Sequence, residues 1–209
     1  MNIARLAHLL FLFISFTVYS AAPKNGFWQG ILELNSTTDL PFVFKLDQDQ
    51  QLTIYNAEEQ ITLSEPQIKG DSISYSFIAF NTSLTFSINV KKELNGYFIN
   101  PDRKKYARIP FRAYFIDTKK PSCSKQTSTD LSGTWKTTFS SGSENAYPAI
   151  GKFNQQENGR VTGTFLTETG DYRYLDGYLS NDRLTISCFD GSHAFLFKAK
   201  IKEGKLEGT

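Results

Sequence analysis

The chain is poor in the residues that most enzymes use. Among 209 residues there are 2 His, 2 Cys and 1 Met. His8 falls in the N-terminal apolar segment, which leaves His193 as the single imidazole for acid–base work near neutral pH. That scarcity excludes histidine-rich metal centres, and no ligand spacing of a zinc site is present. No Cys-x-x-Cys occurs, so the chain carries no redox dithiol of its own. Cys123 sits in a polar stretch and Cys188 inside the strand-like run LTISCF, where a cysteine behaves as a small buried hydrophobe. No glycine-rich phosphate loop opens a helix. Charge of one sign is also lacking: 23 basic side chains face 21 acidic ones, for a net charge of +2. So balanced a chain offers no electrostatic footprint for nucleic acid. The basic run Arg103-Lys104-Lys105 reads as a solvated turn.

Long apolar runs are missing too, except at the start. Arg5 precedes the apolar run Leu9–Val18, and small residues Ser20, Ala21 and Ala22 follow before Pro23. A basic start, a short apolar core and a small-residue exit predict a cleavable secretory signal over residues 1–22. The run is short for a bilayer span, which needs about 20 residues. No membrane insertion is expected after cleavage, and the expected location is periplasmic or otherwise extracytoplasmic and soluble. Asn35-Ser36-Thr37 and Asn81-Thr82-Ser83 match the glycosylation sequon, which matters only in a host with that machinery.

What the chain does have is aromatic residues, with 18 Phe and 10 Tyr. They alternate with polar residues in SISYSFIAF (72–80), LTFSINV (84–90), LTISCF (184–189) and AFLFKAKI (194–201). Period-two patterns of this kind predict half-buried strands. Asn95-Gly96, Asn158-Gly159, Asp176-Gly177 and Asp190-Gly191 read as turn pairs between them. Helical periodicity is absent beyond the N-terminal segment. The pattern also repeats. Gly26-Phe27-Trp28 returns as Gly133-Thr134-Trp135, Pro41 and Lys45 as Pro148 and Lys152, and Asp71-Ser72-Ile73 as Asp182-Arg183-Leu184. Phe80-Asn81 resembles Phe189-Asp190, and Leu94-Asn95-Gly96 resembles Leu206-Glu207-Gly208. The expected fold is all-β: two tandem antiparallel β-meander units, barrel-like or sandwich-like. Unit 1 covers 23–116, a polar linker 117–130, and unit 2 131–209. Unit 1 continues past its Leu-Asn-Gly into the strand-like run 107–115, which has no counterpart in unit 2. That difference predicts a natural polypeptide that continues past Thr209 into a closing strand.

The densest chemistry lies in the hairpin 164–178 (TFLTETGDYRYLDGY). Glu168, Asp171, Tyr172, Arg173 and Tyr174 make it a candidate recognition surface, since Tyr and Arg are frequent interface anchors. Alternation puts Tyr172 and Tyr174 on one face and Arg173 on the other, with Glu168 or Asp171 as its ion-pair partner. The bland reading is an ordinary stabilised hairpin. Asp190 and His193 form a second candidate interface at a turn. Adjacent Ser192 suggests a Ser-His-Asp set, but triad members converge from distant segments, so a hairpin turn is the simpler reading. Glu168, Asp171, Asp176 and Asp190 are also the carboxylates from which a glycosidase pair would have to come. No catalytic residue, metal or cofactor is assigned. Gly-x-Trp occurs in both units and opens lipocalin-like barrels, which makes Trp28 and Trp135 candidate pocket bases in a small-ligand barrel.

Three stretches carry a more specific resemblance: PAIGKF (148–153), GTFLTETGDYRYLDG (163–177) and SCFDGSHAFLF (187–197). They resemble the N-terminal region of TlpA-like thiol-disulfide oxidoreductases, exported redoxins of the thioredoxin and peroxiredoxin type found in Bacteroidetes. The resemblance implies a β-rich accessory region ahead of a downstream thioredoxin-fold domain of the same polypeptide, which would hold the Cys-x-x-Cys dithiol. The implied role is positional, with protein substrates as partners. No catalytic residue of that family maps onto this chain, and Cys188 is not given an active-site role.

Overall fold

The computed structural model of the protein describes residues 22–117 and 129–209. The predicted secretory signal apart from Ala22, Cys123 and most of the polar linker lie outside the described residues. Within them the chain is all-β, as the alternation predicts. Unit 1 contains β1 (Gly26–Asn35), β2 (Thr38–Leu46), β3 (Leu52–Asn56), β4 (Glu59–Thr62), β5 (Gln67–Lys69), β6 (Ser72–Ser76), β7 (Ser83–Ile88), β8 (Leu94–Ile99) and β9 (Arg108–Ile116). Unit 2 contains β10 (Gly133–Phe139), β11 (Tyr147–Gln155), β12 (Arg160–Leu166), β13 (Tyr172–Ser180), β14 (Arg183–Phe189), β15 (Ala194–Lys202) and β16 (Lys205–Gly208). Each unit forms its own antiparallel sheet, in the orders β4-β3-β2-β1-β9-β8-β7-β6-β5 and β10-β11-β12-β13-β14-β15-β16.

The first sheet curls into a filled barrel. Its two edge strands, β4 and β5, are consecutive in the chain and joined by residues 63–66 alone. Across that corner the Leu63 N–H still donates to β3 at Leu52 O, while the Ser64 N–H donates to β6 at Ser76 O. One bent segment therefore pairs with both neighbours. Every second residue of β2 and β3 is buried: Leu40, Phe42, Phe44, Leu46, Leu52 and Ile54. Inside, Phe111 of β9 packs on Phe44 of β2 and Phe86 of β7, with ring centroids 6.2 and 5.8 Å away. β2 and β7 lie two strands to either side of β9, so the curl of the sheet brings their rings together on its inner face.

The repeat is carried by structure as well as by sequence. Trp28 pairs opposite Phe44 in β2, and Trp135 opposite Gly151 in β11, the same register in both units. Each indole N–H donates to the carbonyl four residues upstream, Lys24 O at 3.0 Å and Leu131 O at 2.9 Å. Gly96 faces Phe86 in β7, and Gly208 faces Ala199 in β15. That register makes Phe86 equivalent to Ala199, so the likeness of Phe80-Asn81 to Phe189-Asp190 is not a structural equivalence. β14 outruns β6, and Phe189 extends beyond the end of its counterpart. Phe80 is 40 % exposed in a turn, whereas Phe189 is fully buried.

That extension joins the two sheets. Phe189 inserts into the core of unit 1, with its ring centroid 4.9 Å from Phe42, 5.1 Å from Phe98 and 5.5 Å from Phe77. Buried Asn56 holds the backbone of the same residue. Its amide donates to Phe189 O at 3.0 Å, and its Oδ1 accepts from the Phe189 N–H at 3.1 Å. Thr82 Oγ1 donates to Gly191 O at 2.8 Å, and Ser187 Oγ to Pro41 O at 2.6 Å. Gly191 has φ +91°, and a Cβ there would lie 2.1 Å from the Phe77 ring, so only glycine lets the turn sit on the barrel. Phe189→Ala is expected to remove about 3–5 kcal/mol of stability, through lost burial and the cavity left in the unit 1 core. Urea unfolding followed separately by Trp emission and circular dichroism should show the loss, and the two probes should cease to coincide as the units uncouple.

Candidate functional site

A groove opens where unit 2 meets the β3–β4 turn of unit 1. Its volume is about 640 Å³, and its walls include Glu59, Asp171, Tyr172, Arg173, Tyr174, Asp190, His193 and Phe195. Six of the seven interface candidates read from the sequence thus converge, although the hairpin and the turn lie apart in the chain. Glu168 does not join them and is exposed at the hairpin tip. A neighbouring hollow of about 440 Å³ shares Asp171, Arg173 and Tyr174 and adds Glu58, Lys152 and Asn154.

A β-bulge shapes the hairpin wall. Phe165 pairs with Tyr172 and Gly163 with Leu175, so Arg173 and Tyr174 stand against Thr164 alone. Tyr174 takes up the extra residue with φ +55°, an uncommon conformation for a bulky side chain. Thr164 Oγ1 donates to Tyr172 O at 2.9 Å and holds the bulge. Simple alternation, with Tyr172 and Tyr174 opposite Arg173, is therefore broken here, and all three residues reach the same groove. Tyr172 packs its ring on Phe139, Phe195 and Phe197, with centroids 5.7, 4.8 and 5.3 Å away. Its hydroxyl lies 3.2 Å from that of Tyr147. Of the two carboxylates proposed for Arg173, Asp171 is the partner, at 3.5 Å. Arg173 is largely exposed, so this pair contributes little to stability.

The opposite wall is a self-supporting turn. Asp190 Oδ1 accepts from the N–H groups of Ser192 at 2.8 Å and His193 at 2.6 Å. Its Oδ2 lies 2.9 Å from His193 Nδ1. The imidazole stacks on Phe195, 5.2 Å between centroids. Arg103 from unit 1 donates to Ser192 O at 2.9 Å. Asp190 is thus engaged in shaping its turn and orienting His193, which fits the hairpin-turn reading of Asp190-Gly191-Ser192-His193. Asp176 is likewise committed, forming a two-pronged ion pair with Arg160 at 2.8 and 2.5 Å. The same carboxylate accepts from the Ala57 N–H across the junction at 3.3 Å. Asp176 is thereby removed from any glycosidase-like carboxylate pair.

Cys188 lies beneath the groove, buried and free. Burial pushes its thiol pKa up to about 12, with smaller contributions from Asp190 and Glu59. It is a protonated, enclosed thiol rather than a nucleophile. Among the described residues no group of three or more His, Cys, Asp or Glu is placed to hold a metal ion. Trp28 is 1 % exposed, stacked against Phe44 and met edge-on by Phe115, while Trp135 is half-buried. Neither lines the groove. Glu58 and Glu59 went unnoticed in the sequence, because nothing local to the β3–β4 turn tells that unit 2 packs against it.

No family model and no curated protein matches the chain. Among solved structures it is similar to a protein described as a "putative outer membrane protein" from Bacteroides fragilis, at 13 % identity and a TM-score of 0.25, over 86 % of this chain and 85 % of that one. At that score the likeness carries no argument about topology or function. No helix among the described residues is long and apolar enough to cross a membrane.

Two outcomes follow for Cys188. In the native protein at pH 8 it is expected to react with a disulfide reagent slower by ~100-fold or more than in urea, since reaction requires local opening. Stability should also fall with rising pH from about 8.5, the ordinary thiol value, towards 12. In that window the unfolded chain loses a proton that the folded chain retains. Urea midpoints measured across this range should lose that component of the slope in Cys188→Ala.

Proposed function

We propose that the chain is the non-catalytic N-terminal accessory region of an exported thiol-disulfide oxidoreductase of the TlpA-like kind, which holds a downstream thioredoxin-fold domain and presents the junction groove to protein substrates. The observation that carries this reading is the location of the resembling segments. Residues 163–177 and 187–197 are separated in the chain, yet they form the two walls of one groove. Tyr172, Tyr174, Arg173 and His193 supply aromatic and hydrogen-bonding groups of the sort that anchor protein contacts. The buried, protonated Cys188 supports a division of labour in which dithiol chemistry belongs elsewhere in the polypeptide. The aromatic filling of the unit 1 barrel favours a scaffold over a small-ligand container. A rigid scaffold of this kind would act by raising the effective concentration of substrate near the catalytic domain.

The test is insulin reduction driven by dithiothreitol. This chain alone is expected to show no rate above background, whereas the full natural polypeptide accelerates it. Tyr174→Ala with Arg173→Ala in that polypeptide should raise KM for protein substrates by several-fold and leave reduction of a small disulfide unchanged. A full polypeptide with no activity on either substrate overturns the assignment.

A further inference from the structure

The two units differ by one strand, and the difference defines a slot. In unit 1 the bent β4–β5 segment acts as one strand, which makes an eight-membered circuit closed by β9 between β1 and β8. The equivalent members of unit 2 are β10 to β16, and the registers described above match β10 to β1 and β16 to β8. Among the described residues β10 pairs only with β11 and β16 only with β15. The place that β9 occupies in unit 1 is therefore open in unit 2.

Side chains beside the opening show what is missing. In β1, Trp28 and Leu32 are 1 % and 0 % exposed, and β9 sets Phe115 opposite Trp28 and Phe111 opposite Leu32. At the matching positions of β10, Trp135 and Phe139 are only half-buried. Phe197, Ile201 and Leu206 along β15 and β16 are half-buried as well, all packed on one core cluster with Trp135 and Phe139. Phe139 of β10 touches Phe197 of β15, with centroids 5.8 Å apart, although β10 is one end of the sheet order and β15 is next to the other. The sheet has thus curled until its ends share one interior, with one wall unfilled. Two open edges, one carrying Trp135 and Phe139 and the other Leu206, are a template for strand addition.

We infer that the gap between β10 and β16 binds one antiparallel strand with the chemistry of β9: an aromatic residue opposite Trp135, a small one opposite Thr137, an aromatic or large aliphatic one opposite Phe139, and polar residues between. The source is the remainder of the same natural polypeptide, a point that rests on the function proposed above. The alternation requirement follows from the sheet, because side chains of an added strand point by turns into the core and into solvent.

Appending residues 98–116 of this chain, the end of β8, the β8–β9 connection and β9 itself, after Thr209, which matches Tyr97, supplies such a strand with the linker length that spans the distance in unit 1. The graft is expected to slow amide hydrogen exchange along β10 and β16 by at least ~10-fold and to shift the Trp135 emission to the blue. The same graft with both Phe positions changed to Asp should do neither. Unchanged exchange in the first graft, or equal protection by the Asp version, overturns the slot. A dimer of the unmodified chain with both edges already protected overturns it in favour of a second copy as the occupant. In the natural polypeptide the two proposals separate: protected edges with no insulin reduction remove the redox reading alone, and insulin reduction with unprotected edges removes the slot alone.

Discussion

Everything distinctive about this molecule depends on the burial of Phe189 in a core that is not its own. A phenylalanine at the end of a strand, next to an Asp-Gly turn, would be a surface residue in an isolated hairpin. Here it lies within 4.9–5.5 Å of three aromatic rings of unit 1. Full burial of such a side chain is worth about 1.5–3 kcal/mol. The backbone on both sides of the ring would otherwise lose its water, and Asn56, Thr82 and Ser187 replace those lost hydrogen bonds. An apolar knob with its polar edges satisfied fixes the orientation of two sheets that pair no strand with each other.

That fixed orientation creates the groove. Glu59 comes from unit 1, Tyr172 to Tyr174 from one hairpin of unit 2, and Asp190 and His193 from the turn that follows the knob. Each wall is held by local chemistry: a bulge braced by Thr164, and a turn braced by the Asp190 carboxylate. The gap between the walls is set by the knob. A small movement of Phe189 would shift one wall against the other, so the stability of the junction and the shape of the groove are coupled. The Tyr172 ring that faces the groove is backed by Phe139, Phe195 and Phe197, which restricts its rotamers and lowers the entropy lost when a partner binds.

Two copies of one strand pattern have also been put to different uses. Unit 1 closes on itself, and its interior is filled by large side chains from β1 to β3 and β6 to β9, with Leu63 from the corner between β4 and β5. Unit 2 keeps the register, the Gly-x-Trp opening and the indole-to-carbonyl bond, yet among the described residues the outer edges of β10 and β16 pair with no further strand. Its hydrophobic positions are correspondingly less buried, Trp135 against Trp28 being the clearest pair. The continuous β13 replaces the broken β4–β5 segment, and its bulge is where the groove residues project. Divergence between the copies is thus concentrated where the fold meets something else.

Much of this could be read from the residues alone. Alternation of aromatic and polar side chains determined the strands, because the pleat has a period of two whatever surrounds it. The repeat determined that there would be two similar sheets, since equal spacing of Gly, Trp, Pro and Lys imposes equal register. The sequence leaves His193 and Cys188 as the one imidazole and the one thiol among the described residues. Three things waited for the tertiary structure. The bulge at Arg173 and Tyr174 depends on which residues of β12 they face, and alternation within one strand is blind to its neighbour. Phe189 looked equivalent to Phe80, because a two-residue difference in hairpin length cannot be seen without the pairing. Glu58 and Glu59 join the groove only because a distant hairpin docks beside them. Periodicity is a property of the chain, whereas docking depends on contacts between segments far apart in sequence, and only folding decides which of those contacts form.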